Sequence, residues 1–194
     1  MPLNEKWRCS GRRVLHSFRI FNLREDRYRL PRSEREAPFF ILESPDWVNI
    51  IPLTAAGEVV LIRQFRFGLE EVTLEIPGGM VEGGLSPLET GRKELLEETG
   101  YTGKDWEYLG YVHPNPAFLT NRCHTFLARG VEKVAELDPD ESEEIEVVTA
   151  PLEQIPTLIA GEEITHALVI GAFYLLGLKN PTMQNENCRM QNVK

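Results

Sequence analysis

A glycine-rich segment that runs straight into an acidic helix constrains this 194-residue chain more than any other feature. Gly78 and Gly79 begin it, Gly83 and Gly84 follow, and a helix is expected over about 86–99. Ser86 can cap that helix, Pro87 suits its first position, and Glu89 completes a capping box with Ser86. Gly100 supplies the C-terminal stop. Inside the helix Glu94, Glu97 and Glu98 stand at i, i+3 and i+4, so one face carries three carboxylates. Leu88, Leu95 and Leu96 can face a core. Three like charges repel one another, and a divalent cation would neutralise them. Hard cations such as Mg²⁺ favour carboxylate oxygens and share their shell with substrate phosphates. An acidic helix face is more often merely solvated, but the flanking glycines shift the balance towards a metal site.

The rest of the composition narrows the setting. A net charge of −9 argues against a general nucleic-acid binder. Residues 1–32 nevertheless hold nine Lys/Arg against three Asp/Glu, which leaves the remainder near −15. That basic segment reads as exposed strand faces, or as a surface for an anionic substrate or an acidic partner surface of the same protein. The longest apolar run, Ala167 to Leu178, is too short for a membrane span and suits a buried helix. Lys6, Arg8, Arg12 and Arg13 interrupt any signal-peptide core. Cys9, Cys123 and Cys188 are odd in number and lack metal-ligand spacing, so a reduced, cytoplasmic protein is expected.

Short strands are expected at Arg12–Arg19, Tyr28–Leu30 and Phe39–Leu42. The turn cluster Glu43–Asp46 then marks a boundary. Further strands are expected at Trp47–Leu53, Val59–Phe65 and Val72–Ile76, the first two joined at Ala56-Gly57. After the acidic helix come strands at Tyr108–Val112 and Cys123–Ala128, separated by the Pro/Asn loop His113–Phe118. An acidic loop, a strand at Ile145–Val148 and two helices, Pro151–Ala160 and Thr165–Leu178, complete the pattern. Strands and helices mix without regular βαβ alternation, which implies an α+β sandwich. The expected division is an N-terminal β-sheet subdomain (1–44), a main domain (45–178) and a polar, flexible tail (179–194).

The loop–helix segment resembles the Nudix box of the Nudix hydrolase superfamily. That pattern is Gly, five residues, Glu, seven residues, then Arg-Glu-apolar-x-Glu-Glu-x-Gly-apolar. Gly79, Glu94, Leu95, Glu97, Glu98, Gly100 and Tyr101 fit it. Leu85 and Lys93 stand where the family has a glutamate and an arginine that pair to support the loop. Losing both together leaves no unpaired buried charge. From about residue 7 to 178 the chain is similar to the ADP-ribose pyrophosphatase and nucleoside-diphosphate-sugar hydrolase branch. Leu74-Glu75-Ile76-Pro77-Gly78-Gly79, Leu61-Ile62-Arg63-Gln64-Phe65-Arg66, Pro116 fifteen residues beyond Tyr101, and Glu141–Val147 carry that likeness.

The resemblance implies a Nudix α/β/α sandwich with a mixed sheet and a small N-terminal antiparallel sheet that joins a homodimer. It implies Mg²⁺-dependent (or Mn²⁺-dependent) hydrolysis of ADP-ribose or a related nucleoside diphosphate sugar to a nucleoside monophosphate and a sugar phosphate, and the net charge and short apolar run add the expectation of no nucleic-acid or membrane partner. Glu94 and Glu98 would bind metal with the Gly78 carbonyl, and Glu97 would assist. Glu143 is the expected general base, with Glu141 as runner-up, on a loop able to close over substrate. Arg66 is the expected diphosphate clamp, because guanidinium matches phosphate geometry. Arg63 can equally be a surface residue on the opposite strand face. Glu75 can contact substrate or form a strand-end salt bridge. Trp7, Phe18 and Trp47 are candidates for stacking on the base. Asn115 and Pro116 are candidate substrate contacts beside His113, while His124 and His166 read as structural or loop-ordering. Two alternatives stand beside this reading. One is a non-cleaving nucleotide-sugar sensor, which the retained glutamates disfavour. The other is a Nudix pyrophosphatase acting on another nucleotide, which the placement of Pro116 disfavours.

Overall fold

The structure, a computed structural model, describes residues 6–138 and 144–179. It falls into two compact units, one running up to Pro45 and taking in His113–Arg122, the other containing Asp46–Val112 and the chain from Cys123 onwards.

The first unit is a three-stranded antiparallel sheet of β1 (Arg8–Ser17), β2 (Asn22–Arg29) and β3 (Glu36–Glu43), in that order. The sequence pattern places a strand only at the end of β2, at Tyr28–Leu30, although the charged run Arg24-Glu25-Asp26-Arg27 also belongs to it. The pleat resolves this: alternate residues face opposite sides, and buried Asp26 takes both Arg24 (2.8 Å) and Arg12 (3.5 Å). Paired in this way, an otherwise costly buried carboxylate is tolerated. β1 is exposed along its whole length. The loop His113–Arg122 belongs to this unit through Leu42, whose N–H donates to Phe118 and whose carbonyl accepts from Thr120.

The second unit is built on a seven-stranded mixed sheet. Its strands are β4 (Trp47–Leu53), β5 (Glu58–Arg66), β6 (Glu71–Glu75), β7 (Gly78–Met80), β9 (Asp105–Val112), β10 (Cys123–Arg129) and β12 (Ile145–Pro151). A two-residue pairing of β8 (Tyr101–Thr102) with β11 (Glu132–Lys133) lies apart. The sheet order is β12-β5-β4-β10-β9. β10 runs parallel to β4, while β5 pairs antiparallel with β12 and β6. β4 meets β5 only at Leu53–Val59 and pairs with β7 at its other end. The two strands therefore splay, and Gly78–Met80 enter the space between them.

Helices cover both faces. Ile50, Val60 and Ala128 pack with Leu95 of α1 (Pro87–Thr99). Their chain neighbours Ile51, Leu61 and Leu127 point the other way, towards Ile155 of α2 (Ile155–Ala160) and Val169, Ala172 and Leu176 of α3 (Ala167–Lys179). This is the α+β sandwich expected from the sequence. α1 also begins and ends as expected: the Ser86–Glu89 capping box is formed, Pro87 opens the helix and Gly100 closes it. Such a cap contributes about 1 kcal/mol. Among the described residues no helix is long and apolar enough to cross a membrane.

Candidate active site

α1 lies over β4 and β7 because its contact face is small. A Cβ on Gly91 would meet Ile50, Val48 and Trp106 at 3.4–3.6 Å. The stripe Thr90, Glu94, Glu98 recurs at four-residue spacing beside that contact. Glu98 is 2% exposed and accepts a hydrogen bond from the Gly78 N–H at 2.9 Å. The Glu94 carboxylate lies against Gly79, where a Cβ would come within 2.7 Å of the carboxyl carbon. A Cβ on Gly78 would sit 2.2 Å from the Val48 carbonyl. Both glycines are thus required by close approach, one to a carboxylate and the other to a strand.

The structure separates the third glutamate from the other two. Glu97 is bound by Lys93 at 2.5 Å, one turn earlier on the same helix. Among the described residues no three His, Cys, Asp or Glu side chains gather as a ready metal cluster. What the site offers is a two-carboxylate stripe, Glu94 and Glu98, facing the backbone of Gly78–Gly79. Among the described residues, two buried polar atoms at its margin lack hydrogen-bond partners: Thr90 Oγ1 on the stripe and Asn49 Nδ2. Asn49 pairs with Gly78 across β4 and β7. Buried polar groups seek partners. Oxygen donors from carboxylate, hydroxyl and backbone suit a hard divalent cation. No spacing rule in the sequence singles out Thr90 or Asn49, which emerge only from helix phase and strand register.

Arg66 and Glu75 come together. Arg66 Nε and Nη2 donate to the two Glu75 oxygens at 2.8 and 2.7 Å, a bidentate pair. The Thr73 hydroxyl donates to the same carboxylate at 2.6 Å. Burial pushes the Glu75 carboxyl up, but Arg66, Thr73 and the charge of His166 outweigh it, so its pKa lies below the usual glutamate value. The salt-bridge alternative for Glu75 is therefore present in the structure. Arg66 itself is 40% exposed at the side chain. Arg63, on the other strand face, pairs with Glu146 at 3.3 Å and is separate from this group.

Of the remaining candidates, Trp7, Phe18, Asn115 and His113 make local contacts within the first unit. Trp7 packs edge-on against Tyr28 and Phe39 in the first unit, and Phe18 packs on His16 and Phe21. Asn115 organises its own turn, its side-chain oxygen accepting from Ala117 N at 3.3 Å, with Pro116 exposed beside it. His113 Nδ1 lies 3.3 Å from the Asn121 carbonyl. Glu141 and Glu143 lie outside the described residues, as does the tail beyond Lys179.

Cys123 is buried on β10, and burial together with the charge of Asp46 pushes its thiol up to about 12. At pH 8 it carries roughly 10³-fold less thiolate than an ordinary cysteine. Alkylation by iodoacetamide at pH 8, mapped by mass spectrometry, should therefore modify exposed Cys9 and spare Cys123. Labelling both at equal rates would show that Cys123 is accessible.

Comparison with known proteins addresses the family and the fold. The NUDIX domain profile matches residues 44–170. An ADP-ribose pyrophosphatase of Bacillus subtilis (strain 168) is 33% identical over 171 residues, covering 85% of this chain and 89% of the relative. A methanol dehydrogenase activator of Bacillus methanolicus is 35% identical over 133 residues, covering 66% of this chain and 70% of the relative. A crystal structure of an ADP compounds hydrolase superimposes with a TM-score of 0.77 over 96% of both chains, at 20% identity, which speaks to the fold. With the glycine-backed glutamate stripe and a domain match over most of its length, the chain belongs to the NUDIX family.

Proposed function

We propose that the chain hydrolyses the pyrophosphate of ADP-ribose or a related nucleoside diphosphate sugar, giving a nucleoside monophosphate and a sugar phosphate. The observation that carries this reading is the seating of Glu94 and Glu98 against Gly78–Gly79. The relative named ADP-ribose pyrophosphatase, aligned over most of both chains, supports the substrate class.

Glu94 and Glu98 would hold Mg²⁺ or Mn²⁺ with the Gly78 carbonyl, and Glu97 would assist. When bound, such an ion masks diphosphate charge and makes a bound water more acidic. Arg66, held in one plane by Glu75, presents its guanidinium to a phosphate oxygen. A water oxygen forms the new P–O bond, the bridging P–O bond breaks, and Glu143 takes the water's proton, with Glu141 as the second candidate. The assignment of that base rests on the likeness of residues 141–147 to the catalytic acidic loop of the ADP-ribose branch. Trp7 supplies a stacking surface for the base, and Arg63, Asn115 and Pro116 complete the proposed substrate contacts.

The same proposal makes residues 1–44 a dimer-forming sheet, 45–178 the catalytic domain and 179–194 a polar tail. The fully exposed β1, with Val14 and Leu15 at its surface, supports a homodimer, which sedimentation equilibrium would test. The free thiols of Cys9 and Cys123 support a cytoplasmic setting, and the negative net charge supports the absence of nucleic-acid partners.

The deciding measurement is product chromatography with Mg²⁺ on ADP-ribose, GDP-mannose, UDP-sugars, deoxynucleoside triphosphates and coenzyme A. Monophosphate and sugar phosphate should appear from at least one diphosphate sugar. Cleavage confined to triphosphates or coenzyme A, or none at all, would overturn the assignment.

A further inference from the structure

A hydrogen-bonded chain on β9 and β10 takes no part in the chemistry assigned above. His124 Nε2 lies 3.2 Å from Asp46 Oδ2, and its Nδ1 lies 2.9 Å from the Tyr108 hydroxyl oxygen. The neutral tautomer that satisfies both contacts carries its proton on Nε2. Nε2–H then donates to the Asp46 carboxylate, and Nδ1 accepts from the Tyr108 O–H. Tyr111 and Phe126 wall the group, their rings 6.0 Å from the imidazole and 5.1 Å from the Tyr108 ring respectively. The imidazole is the enclosed middle of this chain, more buried than Asp46.

The Asp46 end has consequences for the site. The Asp46 backbone carbonyl accepts from the Val81 N–H at 2.8 Å, and its neighbour Trp47 pairs with Met80. Val81 is the first residue after β7, where the strand passes into the loop that leads to α1. The other bonds of that loop are local: Leu85 N–H donates to Glu82 at 3.2 Å, and Ser86 and Glu89 cap the helix. Leu85 is exposed, and Lys93 donates to Glu97 along the helix. Among the described residues, the Asp46–Val81 bond alone ties the backbone of 81–85 to the chain just before β4.

We propose that Asp46, His124 and Tyr108 form a positioning chain. They fix the carbonyl that anchors Val81, and so hold Gly78 and Gly79 in register with Glu94 and Glu98. Its catalytic consequence rests on the hydrolase reading above, whereas its structural consequence does not. The test pairs residue-resolved hydrogen exchange with steady-state kinetics on ADP-ribose in His124→Ala, His124→Gln and Tyr108→Phe. In His124→Ala, Val81 should exchange about tenfold faster while β5 amides stay protected. Turnover should fall about tenfold with KM within about twofold, the scale seen when groups orienting metal ligands are lost. Gln can place an amide nitrogen near the position of Nε2 and donate to Asp46, so His124→Gln should recover Val81 protection and turnover. Tyr108→Phe should fall between the two. Unchanged Val81 protection in His124→Ala, loss of protection equally in β5, or a Gln variant no better than Ala would each overturn the proposal. The exchange result stands even if no diphosphate sugar is cleaved, so the two readings fail separately.

Discussion

Replacing Glu94 with Gln should lower turnover on a diphosphate sugar by about 10³-fold, a loss of roughly 4 kcal/mol of transition-state stabilisation. The substitution keeps the shape that lies against Gly79 and removes only the charge, so the melting temperature should stay within a few degrees. Glu98→Gln should cost a similar factor, because that side chain is buried and receives the Gly78 N–H. Glu97→Gln should cost no more than about tenfold, since Glu97 is engaged by Lys93 and is proposed only to assist. Mn²⁺ binding followed by electron paramagnetic resonance supplies a readout independent of turnover. Equal losses in all three variants would show a general electrostatic requirement for the acidic face. A ranking with Glu97 well below the other two would match the division of the stripe seen in the structure. Gly79→Ala offers a backbone counterpart, since its Cβ would displace the Glu94 carboxylate without altering any charge.

That division was only partly legible in the sequence. The helix itself was fully so: capping box, Pro87 and Gly100 are local signals, set within one turn of the residues they govern. Its acidic face was legible too, since i, i+3 and i+4 follow from helix geometry alone. The phase at which that face meets β7 was not legible, because it depends on how close Gly91 and Gly79 let the helix approach. Strands with a continuous apolar run, such as Val59–Phe65, were readable, whereas β2 was concealed by charges that find partners only once β1 and β3 flank it. Thr90, Asn49 and the Asp46–His124–Tyr108 chain are equally products of register. His124 and Asp46 are 78 residues apart in the chain and meet because β10 runs parallel to β4.

Arg66→Ala should both impair activity and invert the acid response of one buried group. Wild-type Glu75 has a folded pKa below its ordinary value of 4.5. Its contribution to stability is therefore fully present above pH 4.5 and is lost as pH falls through the lower folded value. Without Arg66 the carboxylate stays buried but loses its main counter-charge, so its folded pKa should rise above the ordinary value. Protonation then relieves the site, and the contribution is lost as pH rises instead. At pH 7 the variant should be destabilised by about 2–3 kcal/mol, below the range for fully buried pairs because Arg66 is 40% exposed. For a chain of this size that corresponds to roughly 5–10 °C in Tm. Thermal melts from pH 3.5 to 8 should show the gap between wild type and Arg66→Ala narrowing towards acid. Adding Glu75→Gln to the variant removes the stranded charge and should restore most of the lost stability at pH 7, while activity should stay low if the missing guanidinium is the proposed diphosphate clamp. A gap that does not vary with pH, or a double variant no more stable than Arg66→Ala, would mean that Arg66 contributes through packing of its stem rather than through Glu75. Recovery of activity in the double variant would remove Arg66 from the diphosphate site and leave it a purely structural partner of that carboxylate.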